Sequence, residues 1–121
     1  MINIPVSIGE LFDKITILEI KIQKGIKEAQ TELNLLNDIK GTLTIPVYIR
    51  GLYKALYSIN FSLWNIEDSK RECEKEKNFN DTFIELSRSV YILNDQRAHL
   101  KKLINKYMDS NIEEHKSYGE Y

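Results

Sequence analysis

The stretch Leu93–Ile104, LNDQRAHLKKLI, has the spacing of a helix with an arginine in the middle of its apolar stripe. At 100° per residue, Leu86, Val90, Ile104 and Met108 fall within about 20° of Arg97, with Lys101 and Asn94 on the same side at about 40° and 60°. The same interruption recurs upstream. Ile49, Tyr53 and Glu67 lie within about 20° of Asn60, and Glu19 stands about 40° from Ile15, between Leu18 and Ile22 along its stripe. These residue types define a chemistry. A guanidinium and an ammonium hold phosphate or carboxylate groups, a partly buried carboxylate does acid–base work or binds a metal, and amides orient a ligand. Glu19, Asn60, Glu67, Asn94, Arg97 and Lys101 are therefore the candidate ligand-binding residues. The same set also suits a purely structural role, because a buried ion pair satisfied by asparagine amides fixes the register of a helical bundle.

Motifs with a more specific chemical meaning are absent from the sequence. No His-Glu-x-x-His, paired-cysteine, glycine-rich phosphate or Gly-x-Ser-x-Gly pattern occurs, and neither His99 nor His115 follows a glutamate at the Glu-x-x-His spacing of di-iron bundles. No catalytic residue is assigned, and no metal or cofactor is expected. Cys73, the only cysteine, sits in the charged run RECEKEK and cannot form an internal disulfide. With 17 basic and 18 acidic residues the formal charge is -1, which provides no excess field for nucleic acid or an anionic membrane. The N-terminal MINIPVSIGE has neither the basic segment nor the apolar run of a secretory signal, so a cytoplasmic protein is expected.

The elements that must position these residues are helices. Ser7-Ile-Gly-Glu10 reads as a capping box, with Val6 and Leu11 as a staple. Ile8, Leu11, Phe12, Ile15, Leu18 and Ile22 follow at spacings of three and four. Gly25 weakens this helix, but Ile26, Ala29, Leu33 and Leu36 carry the stripe onward, predicting one helix over about 8–39. The segment KGTLTIP makes a turn, and Pro46 opens a second helix over about 46–76. Asn80 and Asp81 cap a third over about 80–108, leaving a tail at 109–121. Length and element count predict a single all-α domain over 1–121, an antiparallel bundle of three long helices with a short extended N-terminus and a C-terminal tail. In that register, helices running up, down and up bring Asn60 level with Arg97, and Glu19 level with Glu67.

The segments IPVSIGELFDKITILEIK (4–21), LWNIED (63–68), NDQRAHLKK (94–102) and the tail KSYGEY together resemble a family of small uncharacterised all-helical proteins. The family is one of bacteria, including marine ones, and of their viruses. It has no assigned activity, so the resemblance implies no catalytic residue and no substrate. It does cover nearly the whole chain and draws attention to the same polar positions and to the tail, whose two tyrosines could dock on the bundle or on a neighbour.

Long helices in so short a chain leave an apolar flank that a second copy can cover, most simply as a two-fold dimer. The leading expectation is an interaction or assembly module without chemistry of its own, with a homo-oligomer or another protein as partner. The alternative is a small binding protein or enzyme for a phosphorylated or carboxylated metabolite, using the six polar residues above.

Overall fold

A computed structural model describes residues 1–108, and among them every regular element is helical. The helices are α1 (Ile8–Gln23), α2 (Gln30–Lys40), α3 (Ile49–Glu76) and α4 (Asp81–Tyr107), with a single 3-10 turn at Lys27–Ala29 before α2. The expected tail at 109–121 and its tyrosines lie outside the described residues.

The all-α expectation holds, but the three-helix bundle does not: the helix expected over 8–39 is two helices. Gly25 is the reason. Its φ of 90° reverses the chain, the Gly25 N–H reaches the Ile22 carbonyl at 3.0 Å and the Ile26 N–H reaches the Lys21 carbonyl at 2.9 Å. This pair of bonds is a Schellman closure, which satisfies carbonyls that the end of a helix leaves orphaned and needs a residue able to adopt positive φ. The apolar pattern beyond Gly25 continues because α2 folds back, burying Leu33 in the same core and packing the half-buried Leu36 against it, not because α1 extends.

The other predicted ends are close to those observed. Ser7 Oγ accepts the Glu10 N–H at 3.0 Å and starts α1; Asn80 Oδ1 accepts the Thr82 N–H at 3.1 Å and starts α4. Pro46 stands three residues before α3, in a turn where its carbonyl accepts the Ile49 N–H at 3.0 Å.

Inserting the α1–α2 reversal changes the topology. Paired residues of α1 and α4 run 9 with 105, 10 with 101 and 13 with 97, so these helices are antiparallel. The four-residue connection from Glu76 to Asp81 makes α3 and α4 antiparallel as well. The order is up, down, up and down, and α1 runs in the general direction of α3. Helix α1 touches all three other helices. Its Phe12, Ile15 and Leu18 meet Leu33 of α2, Ile49 and Leu56 of α3 and Ile104 of α4 in one core.

A helix in that central position is buried on two faces. One is the expected stripe. The other is Gly9, Asp13, Thr16 and Ile20, at spacings of four, three and four, and it carries the polar chemistry.

Candidate functional site

The arginine in the apolar stripe points into the bundle, and its partner is Asp13 of α1. Arg97 Nε donates to Asp13 Oδ1 at 2.8 Å, and a terminal guanidinium nitrogen donates to Oδ2 at 2.5 Å. This two-pronged geometry matches a planar guanidinium to a planar carboxylate. Asn60 Nδ2 adds bonds to Asp13 Oδ1 and to Thr16 Oγ, each at 2.9 Å, while the Thr16 hydroxyl donates to the Asp13 carbonyl at 2.7 Å. Asn94 Oδ1 accepts from the remaining guanidinium nitrogen at 3.3 Å. Asp13 is 1% exposed and Asn60 5%.

A second ion pair is stacked on the first. Lys101 Nζ donates to Glu10 Oε2 at 2.7 Å and lies 3.9 Å from Asp13 Oδ2. Glu10 thus serves α4, where the capping-box reading turns its carboxylate back on Ser7. One turn further along α4, Asn105 Oδ1 accepts the Gly9 N–H at 2.7 Å. Residue 9 must be glycine for this approach, because a Cβ there would stand 2.6 Å from the Lys101 carbonyl oxygen. The α1–α4 seam is therefore a ladder of Asn105, Lys101 and Arg97 against Gly9, Glu10 and Asp13.

Electrostatics follow from the geometry. Burial opposes ionisation of Asp13, but the Arg97 and Asn60 hydrogen bonds and the charges of Arg97 and Lys101 outweigh it, holding this carboxyl below the usual aspartate range. Two carboxylates and two cations leave the ladder neutral. No deeply buried side-chain nitrogen or oxygen among the described residues lacks a hydrogen-bond partner. A network closed in this way positions helices; its acid is ionised, enclosed and bonded, and so is not placed to take a proton from a substrate.

The six candidates separate accordingly. Asn60, Arg97 and Asn94 meet around Asp13, and Lys101 joins them through Glu10. Glu67 is exposed and pairs loosely with Lys70 at 3.9 Å. Glu19 lies away from Glu67, because the up-and-down registration that levels them does not form. It accepts instead from the Tyr53 hydroxyl. Burial, and then the Glu19 contact, push the Tyr53 phenol well above its ordinary pKa. Asp13 and Asn105 are not among the sequence candidates, and Glu10 enters there only as a capping residue; the signal for Asp13 is the second periodic face of α1, Gly9, Asp13, Thr16 and Ile20.

Above the ladder, a cleft of about 390 Å³ has Ile17, Leu63 and Trp64 as apolar walls and Asn60, Glu67, Asp68, Arg71 and Arg97 as polar ones. It joins three of the six candidates. Its acids and guanidinium groups balance, and Arg97 already faces Asp13, so the cleft has no one-signed field for an anionic metabolite. Among the described residues no three of His, Cys, Asp and Glu are grouped so as to hold a metal ion, and no helix is long and apolar enough to cross a membrane.

Comparison with curated proteins and with solved structures finds no match. The model of a family of unknown function, DUF6165, matches residues 2–120, and the chain belongs to that family.

Proposed function

We propose that this chain is a cytoplasmic assembly module without chemistry of its own, and that its partner is a second copy. The observation that carries this reading is the overhang of the α3–α4 hairpin. Helix α3 is about 42 Å long and α1 about 24 Å. From residue 64 to residue 100 no side chain is buried. Yet this region holds Trp64, Ile66, Phe83, Leu86, Val90 and Leu93 half-buried, and Phe79, Ile84 and Tyr91 exposed. Two helices packed only on each other cannot cover both apolar faces, since helices in proteins are held mainly by tertiary burial.

The uncovered face continues an interface that α1 already uses. On α4, Arg97, Lys101 and Asn105 face α1. Phe83, Ser87, Val90 and Asn94 lie within about 40° of the mean direction of those three and continue the same strip from the ladder toward the α3–α4 turn. A second hairpin laid there makes a four-helix packing unit. Charge favours a self-contact: Glu67 and Asp68 stand within one turn of Lys70 and Arg71, and Asp68 and Arg71 form no ion pair among the described residues. A two-fold axis presents each patch to its own complement. The binding-protein alternative at the cleft is weaker, because the ladder occupies its arginine.

Sedimentation velocity on the full chain at micromolar concentrations tests the reading. A dimer is expected, and Ser87→Glu, which adds a charge to the strip without touching the ladder, should give a folded monomer. A wild-type chain that sediments as a monomer throughout removes the second copy as partner.

A further inference from the structure

At the opposite end of α3 from the overhang, a pocket of about 330 Å³ lies between α1, α2 and the start of α3. Its walls are apolar: Phe12 and Ile49 are fully buried, Ile45 closes one side, and the Tyr53 ring packs edge-on against Phe12 at 5.5 Å between centroids. Its rim is cationic. Lys40 Nζ sits 4.3 Å from the Tyr53 ring centroid, and Arg50 and Lys54 project from successive turns of α3. None of these three forms an ion pair among the described residues. No carboxylate lines the pocket, and Glu19, beyond Tyr53, is engaged by the phenol.

The helix end adds to the same field. Helix α3 starts at Ile49 with no side-chain cap from Tyr48 and no acidic residue in its first turn. The Ile49 and Arg50 N–H groups are taken up by the Pro46 and Val47 carbonyls at 3.0 and 3.1 Å, but no acidic residue compensates the positive end of this 28-residue helix. Arg50 and Lys54, four residues apart, repel one another on that same end. Three cations, a helix start without an acid and an aromatic-lined cavity of ligand-pocket size coincide, and together they suit an anion with an apolar body.

We propose that this pocket binds a small anion bearing an apolar group, with an aryl or alkyl body against Phe12, Ile45 and Tyr53 and a phosphate or carboxylate head between Lys40, Arg50 and Lys54. The aromatic edge and the apolar floor select against a bare inorganic ion. The rim selects against a neutral hydrophobe. The site does not depend on how copies of the chain associate, because it lies at the end of the bundle remote from the overhang.

The test uses the full chain and four probes: phenyl phosphate, benzoate, inorganic phosphate and phenol. Binding is followed by amide chemical shifts in the NMR spectrum and by the thermal midpoint. Phenyl phosphate or benzoate should move the amides of Lys40, Arg50, Tyr53 and Lys54 and raise the midpoint, with the two half-ligands at least about tenfold weaker. Lys40→Gln and Arg50→Glu, both on the rim and outside the core, should each weaken binding about tenfold. Lys40→Gln, which gives up its contact with the Tyr53 ring, should lower the unliganded midpoint slightly, and Arg50→Glu, which puts an acid in the first turn of α3, should leave it unchanged or higher. Absence of shifts at these amides, or phenyl phosphate binding no tighter than inorganic phosphate or phenol, overturns the site. So does binding that survives Arg50→Glu.

Discussion

At the scale of single residues, the decisive pair is Asp13 and Arg97. Because Asp13 is enclosed, removing its charge strands a guanidinium that keeps 27% of its surface. Asp13→Asn should therefore cost about 3 kcal/mol in urea unfolding at pH 7, the low end of the range for breaking buried pairs. Asp13→Leu combined with Arg97→Met should recover much of that loss, while Glu67→Gln and Arg97→Met should add to within about 0.5 kcal/mol. Additive Asp13 and Arg97 effects would show that the ladder is not a coupled unit. The pH dependence has a fixed sign. Asp13 has a folded pKa below its ordinary 3.8, so its contribution is complete above that value and is lost as pH falls through the folded pKa. The difference between wild type and Asp13→Asn should thus be constant near neutrality and narrow below about pH 4.

At the scale of elements, Gly25 determines how many helices there are. A Cβ at this position meets nothing within 4 Å, so the cost of replacing it is conformational and not steric. Gly25→Ala should lower stability by about 1–2 kcal/mol, the penalty of a left-handed conformation for an ordinary residue, and Gly25→Asn by less. Equal losses for the two variants, measured by thermal unfolding, would indicate that packing and not φ sets the requirement. Had a long unbroken helix been the native state, Gly25→Ala would raise helicity and stability instead. Much of this level was legible in the sequence: Ser7 and Asn80 mark the observed starts of α1 and α4, and the apolar stripes give the inward faces. The α1–α2 break was not, because a glycine inside a continuing stripe is compatible both with a weakened helix and with a reversal that buries both arms in one core.

At the scale of the whole molecule, stability is unevenly distributed. Helix α1 is enclosed by three neighbours, whereas residues 64–100 contribute no buried side chain. Hydrogen exchange at low protein concentration should accordingly give lower opening free energies for amides of residues 66–95 than for the centre of α1. Raising the concentration should protect the hairpin selectively if copies pair along it. Protection that is uniform along the chain and independent of concentration would count against both the uneven core and the assembly reading.

The sequence by itself determined the helical class, the capped starts of α1 and α4, and the inward direction of Asn60, Arg97 and Lys101, because periodicity and capping are local properties of a few consecutive residues. It also exposed the anomaly of charge inside a stripe. Only the tertiary structure decided which charges meet. Asp13 and Glu10 became partners of Arg97 and Lys101, and Glu67 did not, because one reversal at Gly25 adds a helix and sets α1 antiparallel to α4. Pairings between distant residues depend on that global registration, and no local pattern in either helix encodes it.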